Sequence, residues 1–232
     1  MAVVIEQTKI GRIVVPPHVP RGFTLFYTTI DIDGRLDEER ARVLMEVAGS
    51  KALNTCNQVH GATVTRARSG KSWSECDRCD ALFTDRKSVG LGIKVADCLP
   101  VTMVDPAHSV IANIHSGWRG AVQRITSATL DALERDTAFE PAAARAFLGP
   151  SIRVCCFEVG EEVATQFPQQ FVERSKPKPH VDIVAFTKGI LEARGISDII
   201  DTGLCTRCDG SIFHSFRRDG KTGGRNLALV AQ

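Results

Sequence analysis

Between residues 62 and 115 the sequence breaks into five short runs, ATVTRAR, CDALFTD, VGLGIKVA, VTMVD and SVIANIH, separated by Gly, Asp or Pro. Runs this short, rich in Val and Ile and bounded by turn residues, form strands rather than helices. Five in succession commit the middle of the chain to sheet, and the flanking sequence must supply its cover. Candidate strands VVIEQ, GRIVV and GFTLFYTTI also open the chain. Residues 37–50, DEERARVLMEVAGS, show helical spacing with acids at the front and Gly near the end. Over 118–136 the spacing of Val122, Ile125, Leu130 and Leu133 predicts one long helix. RAFLGPSI reads as a strand, CFEVGEEVATQF as a helix start, VDIVAFTKGILEARG as a helix, and ISDIIDTG as a strand. SIFHSFR is expected to be the last strand. The mixture predicts the α/β (α+β) class: a single compact domain over 1–232, with packed mixed sheets flanked by helices. Periodicity does not fix the strand order.

A chain of 232 residues that is 43% hydrophobic can bury a substantial core without staples. A net charge of +2 supplies no basic field of the kind nucleic-acid binding needs. No apolar run reaches the roughly eighteen residues of a membrane span, and MAVVIEQTKIGRIVVPPHVPRG lacks the parts of a secretory signal. The expectation is a soluble, cytoplasmic protein with neither nucleic-acid nor membrane partners. Eight cysteines is then a high count, because disulfides rarely persist in that compartment. Thiol chemistry or metal ligation is one reading, and small buried hydrophobes the other.

Three islands carry the chemistry: NQVHG at 57–61, VADCLP at 95–100 and NIHSGWRG at 113–120. They place His60, Cys98 and His115 at strand ends or turns, where loops present side chains from a rigid sheet. Two imidazoles and a thiolate suit a catalytic zinc with an open fourth position. The same three residues supply the parts of a Cys–His nucleophile. Their separations match no local zinc-finger spacing, so the fold must assemble any such site. Each has an ordinary alternative as a packed core imidazole or thiol.

Arg119, beside Trp118 at a helix start, is a candidate anion contact. The tail FRRDGKTGGR places Arg217, Arg218, Lys221 and Arg225 around a glycine turn, suited to phosphate or carboxylate. Solvated arginines are the plain alternative for both. Asp80 and Asp85 serve either as general bases, as carboxylates that orient a histidine, or as strand terminators. The pairs Cys76/Cys79 and Cys205/Cys208 have C-x-x-C spacing, open to a shared tetrahedral zinc, a redox pair or plain thiols. The adjacent Cys155–Cys156 is read as packing.

Taken together, NQVHG, DALFTD, ADCLPV, HSGWRG, LGPSI…CFEVGEEV and CT…FHSFRRDGKTGGR resemble the YfiH/YlmD family of laccase-domain or "polyphenol oxidase" proteins. The resemblance runs from about residue 20 to the C-terminus, and six ordered motifs make it specific. It implies a compact α/β fold with packed mixed sheets, related to a group of cysteine hydrolases. It implies a zinc, with copper as the alternative, on His60, Cys98 and His115, which are then also the catalytic residues. It implies purine nucleosides and phosphate as small-molecule substrates: phosphorolysis of adenosine, inosine or a methylthio analogue, and adenosine deamination. Gln58, Asp80, Arg119 and Arg218 fall among the expected substrate contacts. The chain departs from the pattern in GFTLFYTTIDIDGRL, where Leu25 and Phe26 stand in place of an arginine that many members carry. It departs again in TGGR, which displaces Arg225 by one residue. Two competing readings are a metal-free Cys98/His115 hydrolase or amidase, such as a peptidoglycan-precursor editor, and a catalytically weakened binding protein. Laccase chemistry is the least compatible, because six histidines leave little room for a multicopper cluster.

Overall fold

The strands Leu99–Asp105, Val110–Ser116 and Asn226–Ala231 are buried along their whole length, so each must be covered on both faces. The computed structural model, which describes residues 2–232, meets that demand with four layers. The larger sheet runs, in spatial order, Val4–Thr8, Gly11–Val15, Thr24–Thr28, Asn226–Ala231, Val89–Val95, Ala52–Cys56 and Trp73–Cys76. The smaller runs Asp198–Asp201, Arg145–Leu148, Leu99–Asp105, Val110–Ser116, Ala81–Thr84 and Val64–Arg66. Both mix parallel and antiparallel pairs.

Strand alternation sorts side chains between the layers. In the larger sheet Leu25, Tyr27, Ala228 and Val230 face inward, against Leu82, Val104, Ile111 and Phe147 of the smaller sheet. Their neighbours Phe26, Leu227 and Leu229 face outward, against Ala41, Leu44 and Met45 of the helix Glu38–Ala48. Asp37 caps that helix by accepting from the Arg40 N–H, and Gly49 ends it in the left-handed region at φ 68°. The outer face of the smaller sheet meets the helices Ile125–Asp136 and Ile183–Ala193 through Ile125, Leu130, Leu133, Ile183 and Leu191. The predicted mixed α/β class with helix-flanked sheets is therefore borne out.

Three expected elements differ. The predicted helix over 118–136 is two helices, Trp118–Val122 and Ile125–Asp136, because Arg124 turns left-handed at φ 64°. One reversed residue leaves the apolar spacing nearly intact, so periodicity does not register it. SIFHSFR forms no strand: Ser215 caps a short helix, Phe216–Asp219, by accepting from the Arg218 N–H. The last strand is Asn226–Ala231, inserted between Thr24–Thr28 and Val89–Val95. Finally, the helix expected from CFEVGEEVATQF is only Glu161–Ala164, since the residues before it form tight turns.

Several connections cross between the sheets at the same end of the molecule, and two of them carry candidate ligands. One leaves Ala52–Cys56 and enters Val64–Arg66, and the other leaves Val89–Val95 and enters Leu99–Asp105. His60 lies on the first crossing and Cys98 on the second.

Candidate metal centre

The two crossings bring His60 and Cys98 to the C-terminal end of Val110–Ser116, where His115 sits. One ligand atom from each of the three lies within 4.8 Å of the others. The imidazole rings of His60 and His115 meet edge to face, with centroids 4.7 Å apart. His115 is buried, Cys98 half-buried and His60 exposed, so the cluster opens outward on the His60 side.

Asp80 organises this arrangement from below. Its carboxylate is fully buried and accepts from the backbone N–H groups of Val59 (3.2 Å), His60 (2.9 Å) and Gly61 (2.8 Å). These bonds hold His60 in a left-handed conformation, φ 60°, that a histidine rarely adopts. The same carboxylate lies 2.8 Å from His115 Nδ1. That contact fixes the tautomer and leaves Nε2 free to face Cys98. Asp80 thus orients the cluster rather than lining the space above it. Asp85, the other acid of its motif, instead pairs with Arg66 on the surface.

Glycine closes the remaining side. A Cβ on Gly117 would stand 2.9 Å from Cys98 Sγ and 3.4 Å from His60 Cδ2, so only glycine lets the helix at Trp118 begin so near the thiol. On Gly120 a Cβ would stand 2.9 Å from the Gly61 carbonyl oxygen. The glycines of HSGWRG therefore mark close approaches around the cluster.

The protonation states respond to the crowding. Burial pushes the Cys98 thiol up, but His115 and His60 outweigh it and bring its pKa down to about 6. Burial pushes the His115 imidazolium down, but the Cys98 thiolate and Asp80 raise its pKa to about 9. Two imidazole nitrogens and an ionised sulfur, with one imidazole already fixed by a carboxylate, make a donor set that fits zinc or copper.

Above the cluster opens a cavity of about 830 Å³. Gln58 and Arg119 line it; Asp80 and Arg218 do not. Gln58 is held by the Lys94 backbone, accepting from its N–H at 2.9 Å and donating to its carbonyl at 2.7 Å. The Arg119 guanidinium lies over the Trp118 ring, 4.3 Å from its centroid. Arg218 is turned away: it pairs with Asp219 and donates to the carbonyls of Thr206 and Phe213. Its neighbour Arg217 enters the cavity instead, donating to the Glu158 carbonyl at 2.9 Å. A one-residue ambiguity within an Arg-Arg pair is invisible in sequence and is resolved by the short helix Phe216–Asp219.

Leu25 and Phe26 are core residues of the strand Thr24–Thr28, so neither position faces the cavity. Arg35, on the loop that follows, does. Sequence reasoning missed it, although its place in IDIDGRL, soon after the GFT motif, was the available signal. Arg225 also lines the cavity despite its displacement.

The fold and the cluster together define a class: a helix-covered pair of mixed sheets whose crossing loops gather a His₂Cys donor set at the base of an arginine-lined cavity. Residues 11–232 match the family model described as "Multi-copper polyphenol oxidoreductase laccase", and the chain belongs to that family. It is similar to a "Purine nucleoside phosphorylase" of Deinococcus radiodurans, 33% identical over 216 residues that cover 88% of this chain and 82% of that one. It is similar to "Adenosine deaminase RL5" from an unknown prokaryotic organism, 36% identical over 161 residues, 65% of this chain and 61% of that one. Among solved structures, YlmD from Geobacillus stearothermophilus superposes with a TM-score of 0.87 at 23% identity over 99% of both chains. YfiH from Bacillus licheniformis gives 0.86 at 22% over 98% of both. These two likenesses are likenesses of fold. Among the described residues, no helix is long and apolar enough to cross a membrane.

Proposed function

We propose that this chain is a zinc-dependent purine nucleoside enzyme that acts by phosphorolysis on adenosine, inosine or methylthioadenosine and deaminates adenosine. The observation that carries this reading is the meeting of His60, Cys98 and His115 at the base of a cavity that also receives guanidinium groups. Bound by these three residues, zinc supplies a Lewis acid that brings the pKa of water toward neutrality.

The chain's own residues divide the remaining work. Trp118, Ile152, Phe157 and Phe216 give the cavity apolar walls suited to the flat faces of a purine. Arg35, Arg119 and Arg217 give it cations suited to phosphate, and they replace Arg218 in that role. In phosphorolysis a phosphate oxygen bonds to C1′ as the C1′–N9 bond breaks and the purine leaves with the electron pair. The arginines hold the incoming anion for that attack. In deamination a water oxygen bonds to C6 and ammonia leaves. Asp80 keeps His115 in one tautomer through both reactions.

Of the six histidines, only His60 and His115 join a metal-capable cluster among the described residues. That supports a mononuclear His₂Cys centre over a histidine-rich multicopper cluster. A product screen tests the reading: adenosine, inosine and methylthioadenosine, each with and without phosphate, on zinc-loaded protein. Phosphate-dependent ribose-1-phosphate formation or inosine from adenosine is expected, and no turnover of any of the three would refute it.

The lowered Cys98 and raised His115 pKa values favour one second reading, a metal-free thiolate–imidazolium hydrolase or amidase. Stoichiometric alkylation of Cys98 in chelator-treated protein, with amidase activity lost in step, would establish it. Inert amidase substrates would remove it.

A further inference from the structure

The geometry points to a second metal site: we propose that Cys155, Cys156, Cys205 and Cys208 bind one zinc ion as a tetrathiolate, apart from the His60 cluster. Their four sulfurs all lie within 4.8 Å of one another. The Cys155–Cys205, Cys155–Cys208 and Cys156–Cys208 separations are 3.7, 3.9 and 3.4 Å. Four sulfurs placed about 2.3 Å from a central zinc stand about 3.8 Å apart along each edge of the tetrahedron. The cluster therefore has the size of a mononuclear site. An iron–sulfur cluster would hold its cysteine sulfurs farther apart.

The backbone is shaped for this. A tight turn, with the Cys156 and Phe157 N–H groups both donating to the Arg153 carbonyl at 2.8 Å, turns two consecutive cysteines toward one point. The C-x-x-C pair faces them from the loop after Asp198–Asp201. Backbone N–H groups of Arg153, Arg207 and Cys208 are directed at the Cys205 sulfur. The Arg207 guanidinium adds a charge 3.5 Å from Cys156 Sγ, which offsets part of the negative charge of a tetrathiolate. Cys156 and Cys205 are buried while Cys155 and Cys208 are exposed, so one side is open for an ion to enter. Of the readings open to the two C-x-x-C pairs, a zinc shared between them is not the arrangement found: Cys79 Sγ lies 3.0 Å from Cys56 Sγ, away from Cys205 and Cys208.

None of the four cysteines lines the cavity, but Phe157 and Glu158, directly after Cys156, do. Thr206, next to Cys205, donates to the Ser151 carbonyl at 3.0 Å through its N–H and to the Asp97 carboxylate at 2.6 Å through its hydroxyl. Asp97 in turn accepts from the Arg217 N–H at 2.6 Å and precedes Cys98. Zinc at the four cysteines thus fastens the loop carrying Phe157 and Glu158 to the loop that positions Arg217.

The test measures zinc per chain in tag-free protein from zinc-supplemented cells. It compares Cys98→Ala, which disables the first cluster, with Cys98→Ala carrying also Cys208→Ser or Cys155→Ser, both surface positions. The single variant is expected to retain one equivalent of zinc. Cobalt should replace that zinc with the intense thiolate charge-transfer absorption of a four-sulfur tetrahedral site. Each added serine should lower the affinity at least tenfold and weaken that absorption. Zinc-free Cys98→Ala with four freely titrating thiols, or an intact mass showing disulfides among these cysteines, would overturn the proposal. The outcome does not depend on whether the His60 cluster binds metal or turns over nucleosides.

Discussion

Replacing Gly117 by alanine adds one methyl group at the most crowded point of the His60 cluster. Gly117 has φ −73° and ψ 166°, an extended conformation open to any residue, so the backbone carries no penalty. The cost comes from the Cβ, 2.9 Å from Cys98 Sγ and 3.4 Å from His60 Cδ2. Contact that close forces either the thiolate or the start of the Trp118 helix to move. Overpacking of one methyl in a tight site typically costs about 1–3 kcal/mol. If the displacement falls on Cys98, metal affinity drops about 10- to 100-fold, at 1.4 kcal/mol per factor of ten. A chelator competition titration on Gly117→Ala reads this directly. Gly70→Ala is the control, because a Cβ there meets nothing within 4 Å. The fold should survive, with the melting transition still cooperative. Metal affinity equal to that of the Gly70→Ala control would refute the close-approach argument.

Asp80→Asn should weaken metal binding about 10- to 100-fold, as losses of a histidine-orienting carboxylate do; Asp80→Ala should also lower the melting temperature, because three backbone N–H groups lose their acceptor. Arg35→Ala should raise the KM for phosphate several-fold while zinc stoichiometry stays unchanged, which equilibrium dialysis beside steady-state kinetics would check. Away from the cavity, hydrogen bonding to Asp105 raises the His108 pKa above its ordinary 6.5. A raised folded pKa gives stability that is full below about 6.5 and is lost as pH climbs through the folded value. The melting-temperature gap between the native chain and His108→Gln should therefore shrink from pH 5.5 to pH 9; a constant gap would exclude the linkage.

The parts of the fold legible in the sequence are those where local chemistry and tertiary demand agree. Asp37 and Gly49 bound the first helix, and turn residues bound Val89–Val95 and Val110–Ser116, so both signals name the same ends. Asn226–Ala231 was hidden because its place at the middle of the larger sheet is decided by partners some 200 residues away in sequence, at Thr24–Thr28. SIFHSFR has comparable β character, yet Ser215 and Asp219 give its end a helical turn. At the site, His60, Cys98 and His115 were readable as strand-end residues flanked by turn formers. Their meeting depends on two sheet-crossing loops that no spacing reveals. The same limit hid the convergence of Cys155 and Cys156 on Cys205 and Cys208, and the aim of Arg217 rather than Arg218 into the cavity.

X-ray absorption at the zinc edge tests the central claim most directly, on protein carrying Cys156→Ser and Cys208→Ser so that only the His60 cluster can hold metal. One sulfur at about 2.3 Å and two imidazole nitrogens at about 2.0–2.1 Å, lost together in His60→Ala, are the expected result. Zinc without a sulfur neighbour, or full nucleoside turnover in the same protein stripped of metal, would contradict it.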